Sequence, residues 1–283
     1  MTRAGNHPAG RPLWAPRIAA ILIVGYIAAC VAVVHYERQI TYHPDPRPVT
    51  PAGQGLTGVT AETLSTPDGE RLVVWRMQAK PNRPTFLYFQ GNGDTLAERA
   101  ERIRLFQAEG YGLFMLAWRG FSGSTGKPSE NALVTDASLA YETLRREGVA
   151  ARDIVIYGES LGTHIATRTA LTHPARALIL EAPFTSMVDA WRQFAPMLPV
   201  GMLLRDRLDT LAVIGKLRMP LLVLHGERDR LVGHQLGRRV FAAAPHPKRF
   251  ASFTDAGHTN LYSHDAIKAV RRFLADIAAG TLR

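Results

Sequence analysis

The chain has a single cysteine, Cys30. One cysteine closes no intramolecular disulfide and builds no cysteine-based zinc site, so neither holds this protein together. Its histidines do not make up the shortfall. His164, His173, His225 and His234 show no metal-ligand spacing with Asp or Glu, and no metal or cofactor is expected. Dense basic blocks with interleaved aromatics are also missing. Lys+Arg 34 against Asp+Glu 24 leaves a formal charge of +10, but the arginines are scattered, many on expected helix faces (Arg99, Arg102, Arg104, Arg145, Arg146, Arg238, Arg239, Arg271, Arg272). That pattern argues against nucleic acid as a partner. No internal repeat is present, and no obligate protein partner is readable.

Charge is missing altogether from residues 18–36, IAAILIVGYIAACVAVVHY. At about 1.5 Å per residue this run approaches the thickness of the hydrocarbon core of a bilayer. It has no polar stripe, which a buried helix of a soluble protein normally keeps. Arg3, Arg11 and Arg17 precede it, while Glu37 and Arg38 follow. The expected organisation is a cytoplasmic tail over 1–17, a membrane anchor over 18–36, and a catalytic part on the opposite, periplasmic face. Two rivals exist. One is a cleaved signal peptide, whose apolar region is usually shorter. The other is a lipoprotein modified at Cys30 within Ile27-Ala28-Ala29-Cys30, against which the apolar run continues through Val31 to Val34. Residues 37–58, with Pro44, Pro46, Pro48 and Pro51, read as a linker.

Hydrophobic residues at 46% and charged residues at 20% make the remainder globular, enough for one large α/β domain over 59–283. Two strands flank Pro67-Asp68-Gly69. Apolar strands at 85–89, 112–118, 154–157, 177–180, 221–224 and 249–253 then alternate with helices at 94–109, 130–147, 160–171, 233–244 and 260–277. Continuous apolar strands separated by helices predict a mainly parallel eight-stranded sheet covered on both faces, with the first hairpin as an antiparallel edge. Residues 187–216 break the rhythm and read as a short helical cap.

In such a sheet, chemistry sits at the carboxyl ends of the strands. Gly158-Glu159-Ser160-Leu161-Gly162 follows a strand and opens a helix, the context a nucleophile elbow requires. Asp229 follows a later strand in HGERDRLV, and His258 follows the last strand in DAGHTNLY. Taken singly, these are a turn serine, a loop aspartate and a surface histidine. Their joint order of Ser160, Asp229 and His258 makes a catalytic triad, with His258 as base and Asp229 orienting it. Gly91-Asn92-Gly93 lacks both the third glycine of a dinucleotide fingerprint and a Gly-Lys-Ser/Thr. It is instead the expected source of one oxyanion donor, the Asn92 backbone N–H, the other being that of Leu161. Phe184, Met187, Trp191, Phe194 and Leu231 are the candidate pocket residues.

GNGDT, WRGFSGSTGKPSE, YGESLGTHIA, EAPFTSM and HGERDRLV together make residues 59–282 resemble the α/β-hydrolase superfamily, and within it a membrane-anchored branch that includes lipid and acyl-thioester hydrolases. The resemblance implies a serine hydrolase acting on small-molecule or lipid acyl esters or thioesters. Two departures stand out: Gln90 where the family has histidine before Gly-Asn, and Phe121-Ser122-Gly123, which displaces a usual glycine. A serine peptidase of the same fold is the alternative. A non-enzymatic scaffold is a third, and it would predict a broken triad.

Overall fold

The structure, a computed structural model, describes residues 14–282; residues 1–13 of the expected tail, with Arg3 and Arg11, lie outside the described residues. Eight strands form one sheet: β1 (Thr60–Ser65), β2 (Arg71–Met77), β3 (Thr85–Phe89), β4 (Gly112–Leu116), β5 (Ile154–Glu159), β6 (Ala177–Glu181), β7 (Leu221–Gly226) and β8 (Lys248–Phe253). Their order is β1-β2-β4-β3-β5-β6-β7-β8. β2 runs antiparallel to both β1 and β4, and the remaining pairs are parallel. The hairpin therefore forms the antiparallel edge that the sequence predicts.

The apolar strands supply both faces of the sheet. Leu87, Phe89, Ile154, Ile156, Leu178, Leu180, Leu221 and Val223 point into one core. Phe86, Tyr88, Val155, Tyr157, Ile179, Leu222 and Leu224 point into the other. The first face is covered by α3 (Glu130–Arg146), α4 (Gly162–Thr172) and α8 (His234–Ala243), the second by α2 (Ala100–Ala108) and α9 (Ala266–Ala278). α3 illustrates the local logic. Ser129 caps it by accepting from the Ala132 N–H at 3.3 Å, Arg145 and Arg146 close it, and Leu133, Ala137, Ala140, Tyr141 and Leu144 recur on the buried face. The insertion after β6 folds as α5 (Met187–Phe194), α6 (Val200–Leu203) and α7 (Leu211–Ile214).

Besides the helix expected over 94–109, which opens as a 3₁₀ turn at Leu96–Arg99 ahead of α2, two elements depart from the sequence expectation. The first helix, α1, runs Trp14–Tyr42, so residues 37–42 are helix and not linker. The reason is tertiary. Glu37, Thr41 and Tyr42 are buried on the hydrolase domain, Arg38 makes a two-pronged ion pair with Asp206 (2.9 and 3.2 Å), and the Tyr42 hydroxyl donates to the same carboxylate at 3.0 Å. The helix stops at His43, which takes φ 47 ahead of Pro44. The rest of the expected linker packs as well: Pro51 and Leu56 are buried. The second difference is at the last helix, which splits at Asp265 (φ 68) into a 3₁₀ turn Leu261–His264 and α9. His258 sits in the loop ahead of both.

Close backbone approach explains the glycines around Ser160. A Cβ on Gly162 would lie 2.2 Å from the Phe89 carbonyl oxygen, and one on Gly158 would lie 2.5 Å from the Gly162 carbonyl oxygen. Gly162→Ala must therefore push the elbow off the end of β3. The expected loss is about 3 kcal/mol of folding stability, measured by chemical denaturation in detergent; a change below about 0.5 kcal/mol, ordinary for a surface site, would contradict this packing.

Candidate active site

Ser160 lies between β5 and α4 in the left-handed region, φ 48, a conformation costly for a residue with a Cβ. Its own N–H donates to the Glu181 carbonyl at 2.8 Å, which fixes the turn against β6. The hydroxyl is thereby raised at the N-terminus of α4, where the positive end of the helix dipole favours developing negative charge.

The loops after β7 and β8 bring the other two groups to it. His258 Nε2 lies 2.9 Å from Ser160 Oγ, and His258 Nδ1 lies 2.7 Å from Asp229 Oδ2. With a carboxylate on Nδ1, that nitrogen carries the proton and Nε2 is left to accept from the serine. Asp229 is held on its other oxygen, where Oδ1 accepts from the backbone N–H of Leu231 (2.9 Å) and Val232 (2.8 Å). All three predicted residues thus meet. His264 is not among them; it lies 3.4 Å from Asn260 Nδ2. His164 is a buried structural residue between Glu130 and Thr210.

Burial disfavours both charged forms, but the pair outweighs it. The Asp229 carboxyl is pushed well below its ordinary value, because hydrogen bonds from His225 and His258, the charge of His258 and a backbone N–H overcome desolvation. His258 rises above its ordinary value: desolvation pulls it down, while the hydrogen bond and charge of Asp229, with the carboxylates of Glu159 and Glu181, pull it up more. The sign follows for stability. The raised His258 favours folding below its unfolded pKa and loses that contribution as pH climbs through its folded value. The depressed Asp229 favours folding at neutral pH and loses its contribution on acidification.

The two residues expected to supply oxyanion donors, Asn92 and Leu161, border the same cavity as Ser160, and among the described residues neither backbone N–H has a hydrogen-bond partner. The Asn92 side chain is committed elsewhere, donating from Nδ2 to the Thr41 carbonyl at 2.6 Å. The cavity has a volume of about 370 Å³. The five candidate pocket residues, Phe184, Met187, Trp191, Phe194 and Leu231, all line it.

Sequence reading missed two contributions. Ile40, Thr41 and His43 form one wall, because the last turn of α1 docks at the cavity mouth. Below the elbow lies a buried ionic group. Arg99 donates to both Glu159 oxygens (2.8 and 3.1 Å) and to Asp94 (3.1 Å), and Arg102 bridges Glu159 (3.1 Å) and Glu181 (2.8 Å). Tyr88, Tyr157 and Tyr262 complete it. Arg99 and Arg102 are therefore not surface arginines on a helix face: the helix turns them inward because Glu159 and Glu181 would otherwise be buried unpaired. The glutamate inside the Gly-x-Ser-x-Gly stretch was the available signal. Gln90, by contrast, offers its backbone carbonyl to Trp118 Nε1 (3.0 Å), while its buried side-chain amide has no partner among the described residues. Ser122 takes the left-handed φ of 53 and accepts from the Leu96 N–H at 2.9 Å, so it replaces a glycine without loosening the loop.

Comparison with known proteins agrees with the fold. The family described as "Serine aminopeptidase, S33" matches residues 80–213. The chain is 30% identical over 267 residues to "Alpha/beta hydrolase domain-containing protein WAV2" of Arabidopsis thaliana, covering 84% of this chain and 86% of that protein. The chain is an α/β-hydrolase. This hydrolase is also 29% identical over 191 residues to "Lysophosphatidylserine lipase ABHD12" of Danio rerio, covering 59% of the chain and 49% of the relative. An esterase of Pyrococcus furiosus shares the fold with a TM-score of 0.66 at 18% identity, covering 83% of this chain and 97% of that structure.

The His258 environment can be read directly. In a histidine NMR titration its midpoint is expected above the ordinary value of about 6.5. Asp229→Asn should lower that midpoint, since the charge holding the imidazolium is removed. An unchanged midpoint would mean that Asp229 does not govern His258.

Proposed function

We propose that this α/β-hydrolase is a membrane-anchored serine hydrolase that cleaves carboxylic esters or thioesters through an acyl-enzyme. The reading rests on one observation above others: the Ser160–His258–Asp229 chain of hydrogen bonds opens into a cavity walled by apolar side chains. Ser160 Oγ attacks the acyl carbonyl carbon while His258 Nε2 takes its proton. Asp229 keeps the imidazole in the required tautomer and stabilises its cationic form. Negative charge on the former carbonyl oxygen is met by the N–H groups of Asn92 and Leu161. On collapse the carbon–oxygen or carbon–sulfur bond breaks, and His258 returns the proton to the leaving alcohol or thiol. Water, deprotonated by His258, then releases the acid and restores Ser160.

The cavity supports an acyl group as the part recognised. Phe184, Met187, Trp191, Phe194 and Leu231 give it hydrophobic walls in the size range of small-molecule sites. The lipase activity that names the zebrafish relative agrees with this class. Aminopeptidase action, the second reading, is favoured by the name of the matching family. It needs an acidic anchor for a substrate amino group, and no Asp or Glu lines the cavity among the described residues. α1 is the one helix among the described residues long and apolar enough to cross a membrane. We take it as the anchor, with the hydrolase domain on the far side from the arginine-bearing N-terminus.

A fluorophosphonate probe is expected to label wild-type protein at Ser160 and to leave Ser160→Ala unlabelled, with ester turnover falling by at least about 10⁴-fold. Across p-nitrophenyl acyl esters kcat/KM should rise with chain length and exceed that for aminoacyl anilides. Preference for the anilides would overturn the esterase reading in favour of the peptidase.

A further inference from the structure

We propose that the cap is itself a membrane-inserting element: residues 195–204 enter the leaflet beside α1, and the acyl cavity opens sideways into that leaflet. The occupant of this surface is the phospholipid bilayer. The inference rests on the reading of α1 as the anchor and of the cavity as an acyl site.

The geometry begins with where the cap touches α1. The Tyr26 hydroxyl donates to the Met197 carbonyl at 3.1 Å, Arg205 Nη2 donates to the Val34 carbonyl at 3.2 Å, and the Arg205 N–H donates to Glu37 at 2.7 Å. The cap segment thus runs alongside α1 from Glu37 back to Tyr26. Tyr26 stands ten residues before Tyr36, the end of the apolar run. That separation is about 15 Å along a helix, half the hydrocarbon thickness of about 30 Å. If α1 spans the bilayer, Met197 lies well below the headgroups.

The side chains at that depth are those a bilayer accepts. Met197 is 83% exposed, Met202 82% and Phe194 64%, a cost in water that lipid removes. Lipid also demands that backbone polar groups be paired. Here the N–H groups of Ala195, Leu198, Val200, Met202 and Leu204 all have backbone acceptors, residues 196 and 199 are prolines with no N–H, and Tyr26 covers the Met197 carbonyl. Three arginines border this segment. Arg192 and Arg207 both reach over Gly201, where an added Cβ would lie 3.8 Å from a guanidinium nitrogen of each, and Arg205 is exposed beside them. Long arginine side chains at this level extend to lipid phosphates.

The cavity is bordered by the same two elements, the end of α1 and the cap. Its exposed lining residues are Ile40 and His43 at the end of α1, Phe194 at the end of α5 and Leu231. An acyl chain lying along α1 passes Phe194 to reach Ser160 without crossing water.

The full chain in a Cys30→Ser background, labelled with an environment-sensitive fluorophore at Met197→Cys, Met202→Cys or Arg152→Cys, tests this in vesicles of phosphatidylcholine and phosphatidylglycerol. Acyl-brominated lipid is expected to quench the label at 197 and 202 and not at 152, an exposed site at the amino end of β5. Quenching at 197 and 202 only by aqueous iodide, as at 152, would overturn the proposal. In unlabelled protein, Met197→Glu with Met202→Glu should keep soluble p-nitrophenyl acetate turnover within about twofold while hydrolysis of a vesicle-borne single-chain phospholipid falls about tenfold. Equal effects on both substrates would also overturn it. Failure of wild-type protein to hydrolyse any ester would instead remove the hydrolase reading and leave the quenching result standing.

Discussion

Two carboxylates, Glu159 and Glu181, end β5 and β6 where water does not reach, and Arg99 and Arg102 are the groups that neutralise them. Leaving either carboxylate unpaired at that depth is strongly destabilising, so the arginines dictate where the start of α2 sits. The consequences reach the site directly. Glu159 is the residue before Ser160, the Glu181 carbonyl holds the Ser160 N–H, and Arg99 also grips Asp94 in the loop carrying Asn92. Ser160 and the loop carrying Asn92 are thus referenced to one buried ionic group. Opposing influences act on the two acids. The arginines hold Glu159 below its ordinary value, whereas burial leaves Glu181 above its own.

A second constraint comes from α1. Its last turns are packed, with Arg38 and Tyr42 on Asp206 of the cap and the Thr41 and Tyr42 carbonyls taking Asn92 Nδ2 and the Gly93 N–H. The same helix end therefore touches the cap and the Asn92–Gly93 loop at once. A tether that only held the domain near a membrane would need neither contact.

Much of the architecture was legible because it depends on local patterns. Apolar strands with no polar face, such as residues 85–89 and 154–157, have to be covered on both sides, and that alone implies a parallel sheet between helix layers. The meeting of Ser160, Asp229 and His258 was legible because each follows a strand, and parallel strands deliver their carboxyl ends to one edge. The inward turn of Arg99 and Arg102 was not legible. Helical periodicity gives which residues share a face, but an arginine on that face reads as solvated until a buried partner is known. Likewise nothing in residues 37–42 marks them as pocket wall, since Pro44 and its neighbours carry the composition of a linker.

The sequence by itself determined the strand and helix alternation, the strained glycine-flanked serine and the uncharged N-terminal run, because these follow from side-chain period, backbone sterics and transfer cost, which are properties of neighbours in the chain. Only the tertiary structure decided that α1 continues to Tyr42, that its end walls the cavity, and that two arginines lie under the elbow. Those outcomes are set by partners far away in sequence: Asp206 for Arg38, Glu159 and Glu181 for the arginines. Burial of a charge is decided by what surrounds it, and that is known only when the chain has closed on itself.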